Sequence, residues 1–220
     1  MQSKGAVFTP NLLHPRLWST WLLFGLWRAV TILPFPVLLK LGTALGLLLH
    51  SIPNRRRTIA HRNIQLCFPN LSDQEQRAML RANFISTGIA VMEVGISWWW
   101  SKKRFSKLMQ FEGLEHLEAV KDRGVMILGI HYTSLEVGAA ALSSKWQMDG
   151  MYRAHGNPVY DFLQARGRLD KGIGDNLVFE RRDVRGTMKA LKGGRSLWYG
   201  PDQDYGLGQG LFAPFFGIQT

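Results

Sequence analysis

Cysteine is nearly absent from this chain of 220 residues, in which Cys67 is the only one. A single cysteine excludes an intrachain disulfide framework. Cys67 stands between Leu66 and Phe68, where a cysteine is by default a small buried apolar residue. We therefore expect this part of the protein to face the cytosol or another compartment that does not oxidise thiols.

Acidic residues are also scarce, since 16 Asp and Glu stand against 27 Lys and Arg. The net charge is +11 and the isoelectric point lies near 10.2. Such a field favours anionic partners: nucleic acid, an acidic membrane surface, a phosphorylated lipid or an acidic protein. The basic residues are spread along the chain and belong to no RNA- or DNA-binding motif. We therefore expect no nucleic acid among the partners.

Several catalytic signatures are missing. The sequence contains no Gly-x-Ser-x-Gly nucleophile elbow and no Walker A run. Gly206 and Gly208 begin a glycine-rich stretch, but position 211 is leucine, so the dinucleotide-binding pattern is incomplete. The six histidines show no metal-ligand spacing. These absences argue against a serine hydrolase of that type, a nucleotide site and a metal centre, and the sequence predicts no cofactor.

A cleavable signal pattern is absent too, yet the first fifty residues are apolar and rich in tryptophan. Residues 17–33, interrupted by Arg28, and residues 37–49, interrupted by Lys40, flank a proline-containing break. Seventeen helical residues reach about 25 Å, at the low end for a membrane span. We expect a membrane anchor that spans the bilayer or lies in its interface. The alternative is a pair of buried amphipathic helices.

A basic cluster, Arg55 to Arg57, follows the second apolar segment, with Arg62 five residues further on. Lysine and arginine next to an apolar segment are typical of the cytoplasmic side of a membrane. This pattern would place the rest of the chain in the cytoplasm. A solvated helix start explains the same cluster equally well.

The remaining chain alternates predicted helices and strands. Hydrophobic spacing indicates helices at residues 58–67, 72–97, 114–122, 136–142, 159–169 and 183–191. An apolar run indicates a strand at residues 125–130, and further strands are predicted at residues 148–152, 177–179 and 196–199. A capping box from Ser72 to Glu75 opens the longest helix. The pattern predicts an α/β fold, with a largely parallel sheet flanked by helices.

Three consecutive tryptophans, Trp98 to Trp100, follow the longest predicted helix. Three adjacent side chains cannot all point into one core. Some of them are therefore expected to touch lipid, an acyl chain or the anchor.

His131 and Glu136 are the strongest candidates for catalysis. His131 stands where the strand predicted at residues 125–130 ends, and a helix begins a few residues later. Active sites of open α/β sheets lie outside the carboxyl ends of the strands. A histidine base and a carboxylate that orients it are the minimal groups for deprotonating a hydroxyl nucleophile. Residues five apart on one helix diverge by about 140°, so His131 must lie on the turn before the helix.

A purely structural alternative exists for both residues. Thr133-x-x-Glu136 fits a capping box, in which Glu136 only satisfies a backbone N–H at a helix start. His131 would then be a histidine of the core.

The chain as a whole resembles the late acyltransferases of lipid A biosynthesis, the lauroyl and palmitoleoyl transferases. The resemblance is carried, in the family's order, by residues 13–18 (LHPRLW), 62–69 (RNIQLCFP), 129–138 (GIHYTSLEVG), 167–169 (GRL) and 198–206 (WYGPDQDYG). The family's His-x4-Glu motif falls on His131 and Glu136. The resemblance implies a fold like that of the glycerolipid acyltransferases, with an N-terminal membrane-associated helical region.

The resemblance also implies a reaction. A fatty acyl group, lauroyl or similar, would pass from acyl carrier protein to a hydroxyl on a hydroxyacyl chain of a Kdo-bearing lipid A precursor. The enzyme would work at the bacterial inner membrane, with its catalytic domain on the cytoplasmic face. His131 would be the general base and Glu136 would hold its tautomer. An acyltransferase acting on another glycolipid is the enzymatic alternative.

Three further residues are candidates for substrate binding. Arg168 and Asp202 match family motif positions near the active site, and Arg168 would meet a phosphate, a Kdo carboxylate or the oxyanion. Arg153, at the end of a predicted strand, is a weaker candidate for phosphate. The bland interpretations are a solvated helix arginine for Arg168 and a turn residue after Pro201 for Asp202.

The last residues shape the expected domain organisation. We predict an anchor region at residues 1–52 and an acyltransferase domain at residues 53–220. Members of the resembled family continue beyond this point, so the domain is expected to be incomplete. An inactive lipid-binding remnant is accordingly the non-enzymatic alternative. Phe212, Phe215 and Phe216 have no later partner in the sequence to bury them.

Overall fold

The computed structural model describes residues 7–121, 123–202 and 212–219. The chain divides into two compact units, residues 1–33 with 93–201 and residues 34–92 with 202–220. The predicted boundary between an anchor at 1–52 and an acyltransferase domain from 53 follows function rather than compactness, and it stays a prediction.

The first unit contains a four-stranded sheet. Its strands are β1 (Val125–Leu128), β2 (Met148–Tyr152), β3 (Val178–Glu180) and β4 (Ser196–Tyr199). They lie in the order β1-β4-β2-β3, and every pair is parallel. The predicted parallel sheet is confirmed, and the bounds of β2 and β4 are those expected from the sequence.

Helices connect and flank these strands. They are α1 (Trp18–Val30), α5 (Lys102–Ser106), α6 (Leu114–Glu118), α7 (Leu135–Ser143), α8 (Pro158–Asp170) and α9 (Val184–Lys192). Asn157 begins α8 by accepting hydrogen bonds from the N–H groups of Val159 and Tyr160, at 3.0 and 3.2 Å. Pro158 takes the first helical position, where its missing N–H costs nothing.

An ion pair fixes the amino-terminal edge of the sheet. Asp149 of β2 is almost fully buried and accepts two hydrogen bonds from Arg195, at 2.6 and 2.5 Å. The N–H of Leu177 donates to the same carboxylate at 2.8 Å, just before β3. Arg195 also contacts Asp175 at 3.1 Å. Both charges are therefore compensated, and strands β2, β3 and β4 are tied together where they begin.

Helix α1 is shorter than the apolar segment predicted at residues 17–33. It has 13 residues and ends at Val30, because residues 31–33 form a turn. Its length is thus about 20 Å. The indole of Trp100 donates to the carbonyl of Thr31 at 2.6 Å, and Arg104 donates to the carbonyls of Ile32 and Leu33 at 3.0 and 2.6 Å. These bonds satisfy carbonyls at the end of α1.

The tryptophan triplet contacts residues of the predicted anchor region, which is one of the contacts expected from the sequence. Trp98 and Trp100 are both buried, with 4% and 5% of their surface exposed. Trp99 is half-buried and packs edge-on against Trp27 of α1, with ring centroids 4.9 Å apart. Two of the three rings are therefore buried in the protein core. Trp98 is still helical, whereas Trp100 follows the end of α4 at Trp99, so helical geometry does not separate the directions of these two side chains.

The second unit consists of helices and a small hairpin. Its elements are α2 (Phe35–Ser51), α3 (Arg55–Cys67), most of α4 (Asp73–Trp99), and strands β5 (Pro214–Phe215) and β6 (Ile218–Gln219). Ile64, Leu80 and Phe84 form the buried core of this unit. The predicted capping box is confirmed, since the carboxylate of Glu75 accepts from the N–H of Ser72 at 2.8 Å. This hydrogen bonding lowers the pKa of Glu75.

Glycines bring helices α2 and α4 into backbone contact. A Cβ atom on Gly88 would lie 2.2 Å from the carbonyl oxygen of Gly42, and one on Gly46 would lie 2.4 Å from that of Phe84. Real Cβ atoms do not approach so closely, so only glycine permits this crossing.

The second unit also corrects two expectations about apolar side chains. Cys67 is half-buried rather than buried, because it lines a cavity of about 200 Å³ with Ile64, Phe68 and Phe216. Phe216 packs against Phe68 with ring centroids 5.1 Å apart, so an earlier residue supplies the partner that no later residue offers. Phe212 is largely exposed.

Candidate active site

The carboxyl ends of the parallel strands meet at one edge of the sheet. Strand β1 ends at Leu128 and β4 ends opposite it at Tyr199, and the N–H of Gly129 donates to the carbonyl of Tyr199 at 2.8 Å. His131 follows β1, and Gly200 follows β4. A Cβ atom on Gly200 would lie 2.7 Å from Cε1 of His131 and 3.0 Å from the carbonyl oxygen of Gly129. Glycine at position 200 thus lets the imidazole lie against the end of β4.

His131 occupies the connection between β1 and α7. The connection turns sharply, with the N–H of Leu135 donating to the carbonyl of Tyr132 at 3.1 Å. Helix α7 begins at Leu135, so His131 lies outside it. The divergence of residues five apart on one helix therefore does not apply to His131 and Glu136. His131 is also exposed, which leaves its ring accessible to a substrate.

Glu136 is held by two side chains from distant parts of the sequence. Nε1 of Trp98 donates to Oε2 of Glu136 at 3.3 Å. Nε of Arg168, on α8, donates to Oε1 at 3.0 Å, and Nη2 of Arg168 donates to the same oxygen. Only 15% of the Glu136 side chain is exposed, against 27% for Arg168. The partly buried carboxylate is therefore paired with a cation and hydrogen-bonded on both oxygens.

The capping-box alternative does not describe this site. Ser134 is the N-cap residue of α7, which makes Glu136 the second helical residue instead of the third. The carboxylate of Glu136 accepts hydrogen bonds from the side chains of Trp98 and Arg168. Sequence reasoning missed Trp98 as a partner of Glu136, and the tryptophan triplet was the only signal that pointed to it.

Tyr160 is a second residue that the sequence did not single out. It lies two helical turns before Arg168 on α8, and its ring stacks on His155 with centroids 4.1 Å apart. Burial raises the pKa of the Tyr160 hydroxyl, the charge of Glu136 raises it further, and the charge of Arg168 opposes them. Tyr160 therefore stays a neutral hydrogen-bonding group in this part of the first unit.

The three predicted substrate-binding residues have different surroundings. Arg168 is not a solvated helix arginine, because it forms the ion pair with Glu136. Arg153 is the first residue after β2 and is exposed at the same sheet edge as His131. Asp202 is exposed three residues after β4 ends and belongs to the second unit. Substrate contacts of all three remain predictions.

Over residues 7–121, 123–202 and 212–219, no group of three or more His, Cys, Asp or Glu side chains lies close enough to hold a metal ion. The incomplete glycine pattern that begins at Gly206 falls at positions 203–211, outside the described residues. The described side chains near this sheet edge include the imidazole of His131, the paired carboxylate of Glu136 and the guanidinium of Arg153.

One long helix bears on membrane association. Helix α4 is long and apolar enough to cross a bilayer, and 33% of its most apolar window is buried. Helices α2 and α3 pass the same test together but are bent by 92°. Core helices of soluble proteins share these properties, so length and composition alone indicate membrane association only weakly.

Known proteins resemble this chain along nearly its whole length. The profile of the bacterial lipid A biosynthesis acyltransferase family matches residues 6–220. The lipid A biosynthesis lauroyltransferase of Escherichia coli (strain K12) is 41% identical over 214 residues, which cover 96% of this chain and 69% of that protein. The palmitoleoyltransferase of the same strain is 40% identical over 216 residues, covering 97% and 69%.

A relative from a second bacterium agrees with these two. A lipid A biosynthesis acyltransferase of Haemophilus influenzae is 37% identical over 213 residues, which cover 96% of this chain and 68% of that protein. The matched residues include His131 and Glu136, which are spaced as His-x4-Glu in this chain. This chain therefore belongs to the bacterial lipid A biosynthesis acyltransferase family, and it is an acyltransferase.

Proposed function

We propose that this acyltransferase moves a fatty acyl group from acyl carrier protein to a hydroxyl on a hydroxyacyl chain of a Kdo-bearing lipid A precursor. The names of the relatives support the lipid A class of acceptor and a lauroyl or similar acyl group. The net charge of +11 suits both an acidic carrier protein and a phosphorylated lipid. The observation that carries the proposal is the paired carboxylate of Glu136 at the start of α7, five residues after an exposed His131 at the carboxyl edge of the sheet.

His131 acts as general base in this proposal. Its imidazole takes the proton of the acceptor hydroxyl while the hydroxyl oxygen attacks the thioester carbonyl. The carbon–sulfur bond then breaks, and the imidazolium returns the proton to the departing thiolate. Neither an enzyme nucleophile nor a cofactor takes part. Atoms and charge balance, because one ester forms and one thiol leaves.

Glu136 orients this base. A carboxylate near the imidazole fixes its tautomer and stabilises the imidazolium that forms during attack. Arg168 and Trp98 hold that carboxylate in place. Arg153, exposed at the same sheet edge, is suited to bind a phosphate or the oxyanion. Asp202 is expected to orient a side chain that binds one of these groups.

We further propose that the protein is bound to the cytoplasmic face of the bacterial inner membrane through its N-terminal helices. Large apolar side chains of α1 are exposed, among them Trp18, Leu22 and Leu26. They recur every four residues and so lie on one face of α1. A helix of about 20 Å is shorter than the hydrocarbon core, which favours an interfacial position over a span. Arg55 to Arg57 favour the cytoplasmic side.

The catalytic assignment is tested with acyl carrier protein thioester and lipid A precursor, by mass spectrometry of the acylated product. His131→Ala is expected to abolish transfer while leaving the far-UV circular dichroism unchanged. Glu136→Ala is expected to slow transfer by about two to four orders of magnitude. His116→Ala, which removes an exposed histidine on α6, serves as the control and keeps full turnover. Near-normal turnover of His131→Ala would refute the mechanism.

The membrane assignment needs its own experiment. The protein is expected to float with vesicles that contain anionic phospholipid, because α1 exposes apolar side chains and the chain is basic. Replacing Leu22 and Leu26 by Gln should weaken flotation severalfold, whereas the same change at exposed Leu108 of the loop after α5 should not. Equal flotation of all three proteins contradicts anchoring through α1.

A further inference from the structure

Trp98 is a buried hydrogen-bond partner of Glu136. It lies near the end of α4 and only 4% of its surface is exposed. Its ring stacks on Phe24 with centroids 6.4 Å apart and meets Tyr160 edge-on at 6.0 Å. Gly167 of α8 lies directly against it, since a Cβ atom there would be 2.4 Å from Cγ of Trp98. The ring therefore has one available orientation.

That orientation aims the indole N–H at the oxygen of Glu136 that Arg168 holds less closely. Trp98 donates to Oε2 at 3.3 Å, whereas Arg168 donates chiefly to Oε1, with Nε at 3.0 Å. The Nε···Oε2 distance for Arg168 is longer, at 3.3 Å. The final torsion of a glutamate side chain is broad, so a carboxylate keeps one plane only when both oxygens are held. Trp98 supplies a second donor to Oε2, from α4 instead of α8.

We propose that Trp98 is a positioning residue for the acyl-transfer reaction, acting through its indole N–H on Glu136. The inference rests on the proposed role of Glu136 as the group that orients His131. It extends that role by adding a residue 38 positions earlier in the sequence. Gly167 contributes to this positioning, because any larger residue there would displace the indole ring of Trp98 from the carboxylate of Glu136.

The N–H can be separated from the packing of the ring by substitution. Trp98→Phe keeps an aromatic ring between Phe24 and Tyr160 but removes the donor. Trp99→Phe is the matched control, because Trp99 belongs to the same aromatic cluster and packs on Trp27 and Phe24. All variants are made in the protein as its gene encodes it, and kcat and KM are measured with acyl carrier protein thioester and lipid A precursor.

We expect Trp98→Phe to lower kcat about tenfold, the effect of one hydrogen bond to a charged acceptor, with KM for both substrates unchanged. Trp98→Phe and Trp99→Phe should lower the melting temperature by similar amounts. Trp99→Phe, however, should leave kcat within about twofold of the unchanged protein. A purely structural role of Trp98 predicts instead that both variants change kcat alike. Unchanged kcat in Trp98→Phe would overturn the inference.

A double-mutant cycle shows whether Trp98 acts through Glu136. In the Glu136→Ala background, Trp98→Phe should cause no further loss, because the carboxylate that it positions is gone. The same tenfold loss in both backgrounds would refute positioning while leaving the role of Glu136 intact. Near-normal turnover of Glu136→Ala alone would refute the proposed function instead, so the two failures are distinguishable.

A spectroscopic measurement keeps the test valid if Trp98→Phe folds poorly. Nuclear magnetic resonance of the indole N–H protons is the measurement, and we expect the signal assigned to Trp98 to move upfield in Glu136→Ala, because its acceptor is gone. The Trp99 signal should move much less. If no indole signal responds to the loss of Glu136, the hydrogen bond does not exist in solution and the inference fails.

Discussion

Removing Arg168 should destabilise the protein measurably, because it would leave Glu136 partly buried without its cation. The variant is Arg168→Met, which keeps the length and apolar stem of the side chain. Losing one partner of a buried ion pair costs about 3–5 kcal/mol. Here water can enter from the 27% of Arg168 that is exposed, and Trp98 still donates to the carboxylate. We therefore expect a loss of about 2 kcal/mol in the free energy of unfolding.

Thermal unfolding followed by circular dichroism measures this loss. For a chain of this size, about 2 kcal/mol corresponds to a fall of about 4–8 °C in melting temperature. Glu136→Gln in the Arg168→Met background should restore most of it, since a neutral amide needs no cation and still accepts from Trp98. The control is Arg166→Met, which changes another arginine of α8. Either of two results would show that the Arg168–Glu136 ion pair does not contribute about 2 kcal/mol to the free energy of unfolding. One is that Glu136→Gln restores no stability, and the other is that Arg168→Met melts at the same temperature as the unchanged protein.

Two further predictions concern other parts of the fold. Gly88→Ala should cost the second unit about 2–4 kcal/mol in free energy of unfolding, because its Cβ atom would overlap the backbone of Gly42. Gly25→Ala, with nothing within 4 Å, should instead be neutral or stabilise α1 by up to about 1 kcal/mol, as chemical denaturation of both variants would show. The pKa of Asp175 lies below its ordinary value of 3.8, because Arg195 donates to it, so its contribution to stability is present above about pH 4 and is lost as the pH falls further. Titration of the Asp175 carboxyl carbon by nuclear magnetic resonance measures this pKa, and Arg195→Gln should raise it. An unchanged pKa in Arg195→Gln would contradict Arg195 as the cause of the lowered pKa.

The sheet was largely predictable because strands β1 and β4 are short, mainly apolar runs with clear ends. Strand β4 was predicted at residues 196–199, between a glycine pair and Pro201, and the structure has the same bounds. The capping box at Ser72 was predictable for the same reason, since its two partners lie three residues apart. Local chemistry of this kind is visible in any stretch of sequence.

Contacts between distant residues could not be predicted. The bonds from Trp98 and Arg168 to Glu136 cross 38 and 32 residues, and no spacing rule connects such positions. The start of α3 was predictable in part, because a helix start was one of the two interpretations of the cluster from Arg55 to Arg57. The structure begins the helix at Arg55, three residues before the predicted range 58–67, and Asn54 caps it by accepting from the N–H of Arg57 at 2.9 Å. An asparagine cap outweighs the repulsion of three consecutive positive charges.

The glycine crossing of α2 and α4 has a consequence for how the second unit behaves in different solvents. Apolar side chains pack together in water because water excludes them, and that drive disappears when lipid or detergent surrounds the same side chains. At Gly42, Gly46 and Gly88 the two backbones touch directly, and attraction between touching atoms does not depend on the medium outside. This helix pair should therefore survive transfer from buffer to detergent micelles unchanged, with the same register in both.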